Sequence, residues 1–179
     1  MRSNGESDPG SEAGSPAVRD DDGGSGVPAL KLRLLAAAVA SIVVIADQLT
    51  KAWALQALDD GQIVLIDGFL NFRLFFNSGA SFSLFAKGGA VIGPVVIGVV
   101  VIIFFALREA GHRLDAVALG LVLGGAIGNL LDRMFRGSGF LDGAVVDFIN
   151  VPFFATFNVA DIAINVGVAL LLLGAFLRR

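Results

Sequence analysis

The sequence predicts a membrane protein of four transmembrane α-helices with a small external β-sheet cradle, and three features of the chain predict it. Apolar residues make up 55% of the chain and mean hydropathy is +0.79, beyond the balance of a soluble domain. Four separate runs, about 32–55, 89–107, 115–132 and 159–177, approach the roughly 20 residues that a helix needs to cross a hydrocarbon core. Between the first two runs, apolar and polar side chains alternate with the two-residue period of a strand.

Ahead of the first span, residues 1–28 hold Gly, Ser, Pro and acid with almost nothing to bury. They are expected to form a disordered acidic tail, followed by a membrane domain over 29–179. The first apolar run is expected to be retained, because it begins far from the start, lacks a small-residue cleavage site and is followed by further spans. The external cradle is expected over about 60–86. There, FLNFRLFFNSGASFSLF sets Leu70, Phe72, Leu74 and Phe76 on one face and Asn71 and Arg73 on the other, ending in an NSG turn. In the second span Pro94 predicts a bend, tolerated where neighbours satisfy the freed carbonyl. The third span carries Gly120, Gly124 and Gly128 at four-residue spacing on one face, which suits close helix packing.

Orientation follows from Lys and Arg near the span ends. Lys31 and Arg33 precede the first span, Arg108 and Arg113 link the second and third, and Arg178 and Arg179 close the chain. Both termini and the middle loop are therefore expected on the cytoplasmic side. Lys51, Arg73, Lys87, Arg133 and Arg136 fall on the other side and dilute the signal.

With that topology the polar residues gather at the outer face. Asp47 and Lys51 lie one turn apart near the end of the first span; Asn129, Asp132 and Arg133 close the third. Asp161 opens the fourth, Asp147 lies in the outer loop before it, and Asn77 and Asn158 join from the sheet turn and the pre-helix segment. A carboxylate in lipid costs roughly 2.5–3.5 kcal/mol on insertion scales, so ionisable groups retained there point to function. Some members also have structural readings. Asp47 with Lys51 reads equally as a neutralising pair, Asp132 with Arg133 as a helix-end pair, and Asn158 as a helix cap.

Other chemistries fall away. With no cysteine there is no disulfide, thiolate metal site or cysteine nucleophile. The only histidine, His112, sits on the opposite face, so neither a metal nor a cofactor is expected. HExxH and GxSxG motifs are missing, and no basic tract suggests nucleic acid. A Ser-Lys dyad of Lys51 with Ser78, Ser81 or Ser83 is possible on paper, but nothing fixes it. Asp59, Asp60, Asp67 and Asp142 read as solvated loop charges. Two nearby carboxylates in a poorly solvated pocket hold one proton between them. One can take a proton from an attacking water while the other hydrogen-bonds the carbonyl oxygen, which hydrolyses a peptide without a metal or covalent nucleophile.

In order along the chain, DQLTK (47–51), FNSGASFSLF (76–85), GGAIGNLLDR (124–133), VVDFI (145–149) and FNVAD (157–161) resemble the motif set of lipoprotein signal peptidase, or signal peptidase II. The family is a four-span aspartic endopeptidase of the bacterial cytoplasmic membrane. It removes the signal peptide of prolipoproteins just before a diacylglyceryl-modified cysteine. The resemblance implies that Asp147 and Asp161 are the catalytic dyad. It further implies that Asp47, Lys51, Asn77, Gly79, Asn129, Asp132, Arg133, Asn158 and Ala160 shape the site or hold substrate. The implied partners are diacylglyceryl-modified prolipoproteins and membrane lipids, the implied state a monomer, and the implied site one that faces outward and admits a lipidated substrate laterally. MFRGSGFLDGA is longer than in compact members, and Ser81 stands where alanine is common. The competing class is a proton- or cation-coupled transporter using the same carboxylates. Such proteins usually show internal repeats and a midplane site, and here no repeat is visible and the polar residues collect at one face.

Overall fold

A computed structural model describes residues 28–78, 89–139 and 141–178, with the side chains of 89–96 left aside. The tail expected over 1–28 lies outside the described residues except for Pro28, and Gly79, Ser81, Ser83, Lys87 and the Pro94 side chain lie outside them too. Four helices are present: α1 (Ala29–Ala57), α2 (Gly89–Glu109), α3 (Arg113–Phe135) and α4 (Val159–Leu177). Strands β1 (Ile63–Ile66) and β2 (Leu70–Asn77) follow α1, and β3 (Val145–Asn150) lies between α3 and α4. Among the described residues α1, α3 and α4 are long and apolar enough to cross a membrane. The 21 residues of α2, GAVIGPVVIGVVVIIFFALRE, contain charge only in the final two positions.

α3 is the centre of the bundle because its small residues let backbones approach. A Cβ on Gly120 or Gly124 would stand 2.7 Å from the Ala36 or Ala40 carbonyl oxygen of α1. A second seam, not foreseen from the Gly120–Gly124–Gly128 spacing, faces α4. There Gly125 lies against Ala160 and Ile164, and Gly167 of α4 against the Ala118 carbonyl and Val122. At the far end of the bundle Arg178 closes a two-pronged pair with Asp115, at 3.0 and 3.1 Å, tying the last turn of α4 to the first of α3.

The sheet is antiparallel in the order β1-β2-β3. It sits on the bundle through Ala54, Leu58 and Phe148, against which Phe72, Leu74 and Val159 pack. Trp53, Phe72 and Phe148 meet edge to face, with ring centroids 5.6–6.2 Å apart. The alternation expected of β2 breaks: its register on β3 shifts between Phe72 and Phe75, and Phe76, expected beside Phe72 and Leu74, is 57% exposed. The reason is the extra residue of a bulge, which reverses the facing of everything beyond it. A second correction concerns Asp147, expected in a loop but carried by β3. Beyond β3 the chain folds back so that Phe157 bridges Ile149.

The long connection after α3 is pinned at its base. The Gly143 N–H donates to the Arg133 carbonyl at 3.1 Å, and Leu141 is buried with φ 61°. Asp59, Asp60, Asp67 and Asp142 are exposed as expected, and His112 precedes the first turn of α3 at the far end of the bundle.

Candidate active site

The polar cluster is built around one lysine. Lys51 and Asp47, a turn apart on α1, are both fully buried. The Lys51 ammonium has three donors, and three acceptors surround it: Asp47 Oδ2 at 2.7 Å, Asp132 Oδ2 at 2.8 Å and Asn129 Oδ1 at 3.0 Å. A buried ion pair survives only when the remaining lone pairs are also met. They are: Asp47 Oδ1 accepts the Ala160 N–H at 3.0 Å, and Asp132 accepts from the Val146 N–H and Arg136 Nε at 3.1 and 2.8 Å. The Lys51 donors are thus taken up by Asp47, Asp132 and Asn129, and Ser78 is not among its partners, so the described residues form no Ser-Lys dyad there.

From Lys51 the network runs to both central aspartates. Asn129 accepts from Lys51 on its oxygen and donates its Nδ2 to Asp161 Oδ1 at 2.9 Å. Asn158 Nδ2 donates to Asn129 Oδ1 at 3.1 Å and to Asp147 Oδ1 at 2.6 Å. The other end of Asn158 caps α4: its Oδ1 accepts the Asp161 N–H at 2.9 Å, and Asp161 Oδ2 accepts the Asn158 N–H at 3.2 Å. This capping box, worth about 1 kcal/mol to a helix start, also orients Asp161. One asparagine therefore contacts both aspartates, and its structural and functional readings coincide.

Asp147 stands on β3 with 1% of its surface exposed, and Asn77 Nδ2 on the neighbouring strand donates to its Oδ2 at 3.1 Å. Burial pushes the Asp147 carboxyl up to about 6 from 3.8; the Asn77 hydrogen bond pulls it down and the charge of Asp161 pushes it further up. Arg133 is buried within electrostatic reach of Asp147 and Asp132. Its Nε and Nη1 have no hydrogen-bond partner among the described residues. The expected Asp132–Arg133 helix-end pair does not form, since Asp132 is occupied by Lys51 and Arg136. The physical reason is helical spacing: adjacent residues diverge, whereas Arg136 lies one turn on.

Asp47, Lys51, Asn77, Asn129, Asp132, Asn158, Ala160, Asp147 and Asp161 are thus joined in one bonded network, with Arg133 beside it. Two members were missed from sequence. Gln48 Nε2 donates to Asp132 Oδ1 and the Gly128 carbonyl at 3.2 and 3.1 Å, and Arg136 neutralises Asp132. The signal for Arg136 was its four-residue offset from Asp132; for Gln48 it was a polar side chain inside an apolar span. Among the described residues no group of acidic or histidine side chains converges in a way that could hold a metal ion.

The family model for signal peptidase (SPase) II matches residues 39–177, a stretch that contains every member of this network. The chain belongs to the signal peptidase II family. The lipoprotein signal peptidase of Rhodococcus jostii is 40% identical over 156 residues, covering 85% of this chain and 79% of that protein. That of Mycobacterium tuberculosis is 41% identical over 160 residues, covering 86% and 79%. A bacterial membrane enzyme solved by the in meso method at 1.9 Å resolution shares the fold with a TM-score of 0.70 and 27% identity, covering 78% of this chain and 91% of that one. Signal peptidase II membership thus extends over the helices and the sheet alike.

Proposed function

We propose that this chain is a multi-pass membrane aspartic endopeptidase that removes the signal peptide of prolipoproteins, cutting just before the diacylglyceryl-modified cysteine, with Asp147 and Asp161 as its catalytic pair. The observation that carries the assignment is the Asn158 bridge: its side-chain amide donates to the Asp147 carboxylate while its backbone N–H donates to the Asp161 carboxylate, so one residue holds two carboxylates from different elements. Family membership supports the substrate class.

The surroundings of the two aspartates support a division of labour. Asp147, enclosed and pushed up to about 6, keeps the shared proton and donates it toward the scissile carbonyl oxygen. Asp161, oriented by N–H donors on both oxygens, takes a proton from the attacking water. Water adds to the carbonyl carbon to give a gem-diol. Asp161 then returns its proton to the departing amine as the C–N bond breaks, and Asp147 recovers its own from the diol hydroxyl. The unpartnered Arg133 N–H groups supply donors for the substrate backbone. We place the site at the outer membrane face, both termini in the cytoplasm, and the working state as a monomer. The orientation is supported by the end-to-end charge pattern and by the gathering of the network at one end of the bundle.

The test is incubation of the purified full-length protein in detergent with a diacylglyceryl-modified prolipoprotein, followed by mass. Cleavage on the amino side of the lipidated cysteine is expected from wild type alone, with Asp147→Asn and Asp161→Asn folded and inactive. Substantial turnover by either variant contradicts the role of that residue. Ion flux in proteoliposomes without cleavage would return the transporter reading.

A further inference from the structure

At the opposite end of the bundle from the aspartates, α1, α2 and α3 form a groove of about 390 Å³. Its walls include Leu34 and Ala37 of α1, Phe104 of α2 and Leu123 of α3, and Arg33 and Arg108 line it as well. Each arginine is the lining residue of its helix closest to that end, so the groove is apolar inward and cationic outward. The Arg108 guanidinium lies 5.9 and 5.5 Å from the ring centroids of Phe104 and Phe105, within cation–π range, which holds it against the helix. Among the described residues neither Arg33 nor Arg108 has a carboxylate within ion-pair distance, whereas Arg178 on the same face is paired with Asp115.

Any groove on a membrane helix bundle meets acyl chains, so apolar walls alone select nothing. Two unpaired guanidiniums beside such walls do select, because planar forks of N–H donors match a phosphate and favour a lipid with net negative charge. We propose that this groove is an anionic-phospholipid site, with the phosphate between Arg33 and Arg108 and an acyl chain along Leu34, Ala37 and Phe104. It is separate from the aspartates: Arg33 precedes Asp47 by about 20 Å of helix rise. The assignment does not depend on the peptidase reading.

The experiment exchanges the full-length protein into equal amounts of phosphatidylglycerol and phosphatidylcholine and counts retained lipids by native mass spectrometry. Wild type is expected to retain phosphatidylglycerol preferentially. Arg33→Gln/Arg108→Gln is expected to weaken that retention about 30-fold, the effect of two surface cations. Lys31→Gln/Arg113→Gln, which removes two charges from the same face outside the groove, is expected to leave it unchanged. Equal retention of the two lipids by wild type overturns the proposal, and so does an equal loss in the control pair, which would make the preference a property of diffuse charge. A preference that emerges only in Asp20→Asn/Asp21→Asn/Asp22→Asn would give the two arginines to the acidic tail instead. Cleavage activity enters none of these readouts.

Discussion

Asp47 and Ala160 are joined across the bundle: Asp47 Oδ1 of α1 accepts the Ala160 backbone N–H of α4 at 3.0 Å, although 113 residues separate them. The first N–H groups of a helix lack partners within it, so α4 takes this acceptor from α1. The residue next to Ala160 is Asp161, and α1 therefore sets where that carboxylate stands.

Asp47→Asn is expected to displace Asp161 without touching substrate. Three donors, from Ala160, Lys51 and Gln48, converge on the two Asp47 oxygens, and an amide offers one oxygen in their place. Turnover of a lipidated prolipoprotein is expected to fall at least tenfold. The loss in stability is on the order of 3 kcal/mol, the low end for breaking a buried pair, because Lys51 keeps Asp132. Thermal unfolding in detergent beside the cleavage assay checks both; wild-type values in each would show that the α1–α4 link does not position the site.

Lys51→Met is the more damaging change. It leaves Asp47 and Asp132 buried without their shared cation and leaves the oxygen of Asn129 with the Asn158 donor but without the Lys51 one. A loss at the upper end of about 3–5 kcal/mol is expected, read as a lowered unfolding temperature or failure to accumulate in the membrane. Lys51→Met combined with Asp47→Leu removes one charge of each sign, and is expected to recover part of that stability while remaining impaired in turnover. If the double variant were worse than the single one, charge imbalance would not be the cause.

What could be read from the chain alone divides along physical lines. Runs of about 20 apolar residues announce membrane helices by length, so the four helices were legible, and the Gly120–Gly124 spacing announced close helix packing, though not that α1 is the partner. Asp147 and Asp161 stood out because carboxylates in apolar surroundings are expensive. The strand beneath Asp147 was not legible: VVDFIN lacks alternation, and its partner β2 lies some 70 residues earlier in sequence, as the Asn77–Asp147 bond records. Nor was the bulge in β2, since inserting a residue into a pairing is a property of two strands together. Arg136 and Gln48 escaped because an arginine just past a helix end and a lone glutamine in a span gain a role only through Asp132, whose own burial the sequence does not display.

Gly128 tests how tightly the network is packed. A Cβ there would stand 2.6 Å from Asp47 Oδ2, whereas one on Gly98 of α2 would meet nothing within 4 Å. Both residues lie inside membrane helices, so Gly→Ala changes helix propensity similarly at the two positions. Gly128→Ala is expected to lower turnover by tenfold or more by displacing Asp47, and Gly98→Ala to leave turnover and unfolding temperature unchanged. Equal effects at the two sites would mean that contact with Asp47 is not what matters.

Asp147 provides the pH test. Its folded-state value of about 6 lies above the ordinary 3.8, so between these pH values the folded chain holds a proton that the unfolded chain gives up. That contribution to stability is complete below about pH 4 and is lost as pH rises through about 6. The same proton is the acid of the proposed reaction, so kcat/KM is expected to fall on the alkaline side of the Asp147 titration, about tenfold per pH unit. Asn77→Leu removes a donor that favours the carboxylate, and the alkaline limb is expected to move to higher pH whatever happens to the absolute rate. A profile that instead rises through this range, with Asn77→Leu moving that rising limb upward, would make Asp147 the base and exchange the roles of the two aspartates.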